Sequence, residues 1–174
     1  MYFDFTTFPN LESQRLKYRE LGFDDIEAVY SLRSNKIINA LITRKIPDNL
    51  EDAKDFISVC LQEFKKGNRI FWAMELNKKV IGTIVYHRIS LENKYAEIGY
   101  ELDPSFHQKG LMSEAMKTVL DFGFNKMKLK TIEAFTHKNN TASKALLKKH
   151  NFVFQPERKD IGFDHNRIWK LEKS

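Results

Sequence analysis

A single cysteine, Cys60, leaves no partner inside the chain, so no disulfide framework holds this fold and a cytoplasmic, reducing setting is the expectation. No apolar run approaches the ~20 residues that span a bilayer. The opening Met1-Tyr2-Phe3-Asp4-Phe5 lacks the basic region and long apolar core of a signal peptide, so none is expected. Glycine and proline are scarce, at 7 and 4 residues, and nowhere cluster into a linker. With no internal repeat either, the expectation is one domain covering residues 1–174. The five histidines are dispersed and Cys60 stands alone, which gives no ligand spacing for a metal. The net charge of +6 comes from scattered lysines with small clusters at 126–130 and 144–149. Zinc-finger spacing, an RNP-type aromatic motif and an arginine-rich stretch are all missing, so nucleic acid is not an expected partner. Most lysines read as a solvated coat, and a subset near Lys109 and Lys144 is available to phosphates.

What the chain does contain is 42% hydrophobic residues, including 14 phenylalanines, enough for one sizeable core. Residues 1–14 read as an irregular arm and 15–21 as a strand. Asp24 and Asp25 suit the first turn of a helix carrying Ile26, Ala28, Val29 and Leu32. Residues 34–44 are ambiguous, although Ile37-Ile38 and Leu41-Ile42 have helical spacing. Asp48 or Asn49 can cap a helix over about 50–66, with Ala53, Phe56, Ile57, Cys60, Leu61 and Phe64 as its stripe. That stripe makes Cys60 a buried structural thiol rather than a nucleophile. Strands follow at 70–76, 80–89 and 95–102, with Ile81, Thr83, Val85, His87 and Ile89 expected on one face of the second. A helix from Gly110, a strand at 131–136, a helix capped by Asn140 or Thr141, and closing strands at 152–154 and 167–171 complete the pattern.

The most informative stretch joins the third of these strands to the helix after it. Ala96, Ile98, Tyr100 and Leu102 alternate with Tyr95, Glu97, Gly99 and Glu101 until Asp103-Pro104 stops the strand. The period then becomes helical, with Met112, Ala115, Met116, Val119 and Leu120 on one face. At the junction stands Gln108-Lys109-Gly110-Leu111-Met112-Ser113. A helix's first turn has unpaired N–H groups and the positive end of the macrodipole, and a glycine there lets an anion approach the backbone. The same spacing also suits a plain loop-to-helix turn. It matches neither the three-glycine dinucleotide fingerprint nor a Walker loop.

Several blocks together resemble the GNAT superfamily of acetyl-CoA-dependent N-acetyltransferases, in the branch that acetylates ribosomal-protein N-termini. They are Phe71-Trp72-Ala73, Ile81-Gly82-Thr83-Ile84, His87-Arg88-Ile89, Ala96-Glu97-Ile98-Gly99-Tyr100, Lys109-Gly110-Leu111-Met112-Ser113-Glu114-Ala115 and Asn139-Asn140-Thr141-Ala142-Ser143-Lys144-Ala145-Leu146, preceded by Arg15-Leu16-Lys17-Tyr18-Arg19. The resemblance implies an α+β fold, with a mostly antiparallel twisted sheet of six or seven strands flanked by about four helices. It implies acetyl-CoA as co-substrate and a primary amine, on a peptide N-terminus or a small molecule, as acceptor. A non-catalytic CoA-binding module of the same fold is the alternative, and either a monomer or a homodimer is compatible.

By the same resemblance, His107, Gln108, Lys109, Gly110, Leu111, Met112 and Ser113 hold the cofactor's pyrophosphate, mostly through backbone N–H groups. His107 stands where the family has Arg or Gln, and Met112 where it has a small residue. Asn140 contacts the pantetheine arm. Ser143 contacts the departing thiolate, as acid or as hydrogen-bond donor, and the oxyanion donor is a backbone N–H within 98–102. Glu97 is the candidate base, directly or through water, and a strand glutamate paired to a neighbouring lysine is its bland counterpart. His87 is a second base candidate. The family places acceptor selection around 34–50, and the loop at 155–166 is the other segment expected to shape the acceptor pocket.

Overall fold

The computed structural model describes residues 3–174. One mixed sheet runs in the order β1-β2-β3-β4-β5-β6-β8-β7. Its strands are β1 (Leu11–Glu12), β2 (Lys17–Glu20), β3 (Arg69–Leu76), β4 (Lys79–Ser90), β5 (Tyr95–Leu102), β6 (Thr131–His137), β7 (Val153–Phe154) and β8 (Asn166–Glu172). The helices are α1 (Ile26–Ser34), α2 (Lys36–Asn39), α3 (Leu50–Lys65), α4 (Leu111–Asn125) and α5 (Thr141–Lys149). The α+β class and the mostly antiparallel sheet are as expected from sequence. The sheet has eight strands where six or seven are expected, and there are five helices where about four are. β1 pairs with β2 inside the arm read as irregular. α2 is a single turn in the ambiguous segment, where the Asn35 side chain accepts from the amides of Ile37 and Ile38.

Each long helix is set by its cap and stripe. Asn49 caps α3 by accepting from the Asp52 amide, and Ala53, Ile57, Cys60 and Phe64 turn inward. α4 buries Leu111, Ala115, Met116, Val119, Leu120 and Phe122. The main core, around Trp72, Tyr86, Ile84, Met116, Val119 and Ile132, lies between α4 and the sheet. A smaller cluster of Leu21, Val29, Ala53, Ile57, Cys60, Phe71 and Ala73 lies under α1 and α3.

Two irregularities in β4 decide what faces the site. The register with β3 shifts at Met74/Glu75, and that with β5 shifts between His87 and Ser90. Bulges of this kind re-aim neighbouring side chains. Ile81 and Ile89 therefore join the α4-side core, and only Thr83, Val85 and His87 of the expected face line a cavity. The second feature is a parting of the sheet. β5 pairs with β6 in parallel, but only through Tyr95↔Thr131, Ala96↔Ile132 and Glu97↔Glu133. Beyond Glu97 the two strands separate, β6 continuing beside β8 and β5 beside β4. The heads of α4 and α5 stand at the opening.

Candidate active site

Two cavities meet at this opening. One, of about 570 Å³, is bounded by the loop before α4, the α4 head and α5, with Leu102, Gln108, Gly110, Met112, Ala142 and Leu146 in its wall. The other, of about 390 Å³, lies over the face of β4 and β5 that carries Thr83, Val85, His87, Glu97, Gly99 and Glu101. Tyr100, Glu101, Asn140 and Ser143 belong to both walls.

The α4 head is open. Gly110 precedes it at φ +73° and offers no side chain as a cap. Among the described residues the amides of Leu111, Met112 and Ser113 have no protein acceptor; the first intrahelical bond here runs from the Glu114 amide to the Gly110 carbonyl. Gln108 also takes a left-handed φ, of +60°, so the loop doubles back before the helix starts. His107 braces it, its Nε2 donating to the Leu102 carbonyl at 2.9 Å. The Ser113 hydroxyl lies 2.9 Å from Nε2 of His150, the residue that follows α5, and its amide is turned to the open helix head. Glu114, acidic in the first turn, does not oppose an anion unchecked. Its carboxylate takes the Ser13 hydroxyl, the Arg15 amide and Arg15 Nε, at 2.6, 2.7 and 2.7 Å. Arg15 Nη1 also donates to the Lys109 carbonyl at 2.9 Å. A guanidinium thus sits beside the helix head, an arrangement that strand alternation at Arg15 does not reveal.

At the shared wall, Asn140 Oδ1 accepts from the Ser143 amide at 3.0 Å and caps α5. Ser143 is buried, and its hydroxyl lies 2.6 Å from that of Tyr100. Burial pushes the Tyr100 phenol up to about 12, with the Ser143 bond opposing. Alternation puts Tyr100 on the same side of β5 as Ala96, Ile98 and Leu102, and its ring packs partly buried against the main core. The parting of β5 from β6 is what turns its hydroxyl into a cavity. A tyrosine in an otherwise aliphatic row was the signal that its polar end needed a partner.

Glu97 is buried on the floor of the second cavity. Its Oε1 takes the Tyr95 hydroxyl at 3.1 Å and Arg88 Nη1 at 3.2 Å, so the neighbour is an arginine and a tyrosine rather than a lysine. Burial raises its pKa, and Arg88 pulls it back. The Tyr95 hydroxyl also lies 3.0 Å from Glu133, whose carboxylate Arg158 holds from the 155–166 loop. His87 Nε2 is 3.7 Å from Glu97 Oε2. Burial together with Arg69 and Arg88 holds the His87 imidazole down to about 4, so it is neutral at pH 7. Glu101 is the carboxylate nearer the shared wall. Thr83 Oγ1 donates to its Oε1 at 3.3 Å, and Arg44 Nη1 stands 2.5 Å from its Oε2. That ion pair is close but not aligned as a hydrogen bond, for Glu101 Oε2 and Arg44 Nη2 are both buried without a hydrogen-bond partner among the described residues.

The remaining wall comes from the two loops expected to shape the acceptor pocket. Leu41, Ile42, Thr43 and Arg44 lie on one side and Asp160, Phe163, His165 and Asn166 on the other. They approach across the mouth, with Thr43 Oγ1 at 3.4 Å from His165 Nε2. Among the described residues, no cluster of three His, Cys, Asp or Glu is arranged to hold a metal, and no helix is long and apolar enough to cross a membrane.

The chain and its fold are similar to known proteins. The chain is 32% identical over 147 residues to the uncharacterized N-acetyltransferase YoaA of Bacillus subtilis (strain 168), covering 83% of each chain. Its fold superposes with a TM-score of 0.83 on RimL, a ribosomal L7/L12 alpha-N-protein acetyltransferase solved in complex with coenzyme A, at 17% identity over 94% of this chain and 98% of that one. A GNAT-family acetyltransferase from Bacillus anthracis superposes with a TM-score of 0.78 at 24% identity, over 94% and 98% of the two chains. The model of the GNAT acetyltransferase domain matches residues 15–153. With an open helix head, a parted sheet and two cavities meeting between them, the chain belongs to the GNAT acetyltransferase family.

Proposed function

We propose that this protein transfers the acetyl group of acetyl-CoA to a primary amine, both substrates being bound at once. The observation that carries the reading is the meeting of the two cavities at Tyr100, Glu101, Asn140 and Ser143. The first cavity suits the cofactor. Free amides at Leu111–Ser113 answer a pyrophosphate, and the small or aliphatic Met112, Ala142, Ala145 and Leu146 suit a pantetheine arm. Gln108, Lys109 and Gly110 shape the loop, and His107 pins it. Bound acetyl-CoA supplies the activated acyl group.

The chain's own residues do the rest. Asp103 N–H bonds to Ile81 on β4, and Leu102 C=O points the other way, to His107. By the same alternation the Tyr100 amide turns away from β4 and toward the opening, where it donates to a developing oxyanion. The paired Tyr100 and Ser143 hydroxyls hold a proton next to the leaving sulfur's side of the junction. The incoming amine must be neutral to attack. Glu97, with its raised pKa, draws off the ammonium proton directly or through water, and His87 stays neutral beside it as an acceptor of modest basicity. Glu101 lines the route between them. A protein N-terminus of the ribosomal kind is one acceptor in range of this chemistry, and RimL's likeness supports the fold on which it works.

Thermal unfolding with and without acetyl-CoA at ~1 mM tests the cofactor site, because a ligand that binds only the folded state raises the melting temperature. The shift is expected to be several degrees in the native chain and absent in Gly110→Glu, which puts a carboxylate at the helix head. Release of free CoA thiol with a panel of amines and peptides then tests transfer. A native chain with no shift would defeat the reading.

A further inference from the structure

The charges around the second cavity are sorted and incompletely paired. Its lining has three guanidinium groups, of Arg33, Arg44 and Arg88, and three carboxylates, of Glu97, Glu101 and Asp160. Arg88 is matched to Glu97 and Arg44 to Glu101. Asp160 accepts from Asn166 Nδ2 at 2.8 Å. Arg33 forms no ion pair or side-chain hydrogen bond among the described residues. Its guanidinium lies 3.7 Å from the centre of the Phe56 ring. Phe56 in turn meets Phe71, on the cavity wall, edge to face at 5.3 Å. The group is therefore held against an aromatic surface with its five N–H donors unanswered among the described residues. Burial, helped by Arg44 and Arg69, brings its pKa down to about 10, the direction expected of a cation short of counter-charge.

Arg44 adds to this. Its Nε donates to Asn39 Oδ1 at 2.7 Å, its Nη1 faces Glu101, and its Nη2 is buried without a hydrogen-bond partner. The two arginines are placed by one device. Asn39, at the end of α2, holds Arg44 through Oδ1 and the Arg33 carbonyl through Nδ2 at 2.6 Å. α2 thus acts as a bracket that brings both residues to the same cavity. Arg44 Nη2 is a buried charged donor whose unsatisfied state costs free energy, and the half-buried Arg33 guanidinium offers further donors beside it. A plain alkylamine would meet the carboxylates of β5 and leave these donors unmet. A planar carboxylate or a phosphate would satisfy both.

We propose that the acceptor is a zwitterion, an amine that also carries a carboxylate or phosphate, and that Arg33 and Arg44 bind its anionic group while its amino group faces Glu97 and Glu101. This rests on the acetyltransferase reading and narrows its acceptor class. The test is calorimetric titration of the CoA-saturated protein with β-alanine, O-phosphoethanolamine and ethanolamine. At least one anion-bearing amine is expected to bind about 10-fold or more tighter than ethanolamine, a difference of ~1.4 kcal/mol. Whichever of the two does so identifies the anion. Arg33→Met keeps an apolar stem over Phe56 and is expected to erase that preference, whereas Arg33→Lys retains part of it. Both anionic probes binding within about 2-fold of ethanolamine, or an unchanged preference in Arg33→Met, would overturn the proposal. The CoA-induced melting shift, read on the same samples, separates the failures. Its loss in the native chain defeats the acetyltransferase reading, and its retention confines the failure to the anion subsite. Its retention in Arg33→Met also shows that the variant is folded.

Discussion

The hydroxyl pair of Tyr100 and Ser143 is where single atoms matter most. Tyr100→Phe removes one hydroxyl and keeps the ring, so cofactor affinity is expected to hold while kcat falls about 100-fold, as for loss of a positioned acid. Ser143→Ala should lower kcat in the same direction with the α5 cap intact, since the cap uses the Ser143 amide. Steady-state kinetics beside the CoA melting shift separates the two effects. His87 offers a pH test. Its folded pKa of about 4 lies below the unfolded 6.5, so between those values the unfolded chain takes up a proton that the folded chain refuses. Stability should fall on acidification from pH 6.5 to 4, and His87→Gln should flatten that slope in urea unfolding. The ring is about a third exposed, so solvent screening keeps the effect modest. Glu97 acts in the opposite sense, because a raised carboxylate pKa makes folding less favourable as pH climbs from the unfolded value through the folded one.

At the scale of elements, α4 must be both open at its head and close to the sheet. The head is held by Glu114 against Ser13 and Arg15. Glu114→Ala breaks three hydrogen bonds to a carboxylate and is expected to cost about 2 kcal/mol, read as a lower urea midpoint. Farther along, Gly123 faces Tyr86, whose hydroxyl donates to the Val119 carbonyl at 2.9 Å. A Cβ on Gly123 would fall 2.4 Å from that hydroxyl oxygen. Gly→Ala in a helix interior ordinarily stabilises by up to ~1 kcal/mol, but here overpacking should outweigh it and cost ~1–3 kcal/mol. Tyr86→Phe added to Gly123→Ala should recover part of the loss, and a stabilising Gly123→Ala would show that α4 lies farther from β4.

For the whole molecule, the shared wall of the two cavities implies a ternary complex. Initial rates over both substrates should give intersecting lines, and parallel lines would point instead to an acyl-enzyme. The lone thiol does not supply one. Cys60 lies in the cluster under α3, and burial pushes it up to about 11. Cys60→Ala is therefore expected to keep its kcat, at a stability cost of about 1 kcal/mol from the lost packing.

Local pattern was enough to place α3, α4, β5 and the α5 cap, because each is specified by residues a few positions apart: Asn49 before its stripe, Gly110 before Leu111, Asn140 before Ser143. It also brought Glu97, Gly99 and Glu101 to one face, while the segment around 34–50 that walls the second cavity came from the family resemblance and not from local pattern. Three things were beyond its reach. The β4 bulges that turn Ile81 and Ile89 away depend on how two partner strands register. The use of Tyr100 depends on where β5 leaves β6. The unanswered guanidinium of Arg33 depends on which groups fail to reach it. Short-range periodicity dictates which way a side chain leaves its own element, whereas partners from distant segments, and their absence, exist only once the sheet has parted and the loops have closed over it.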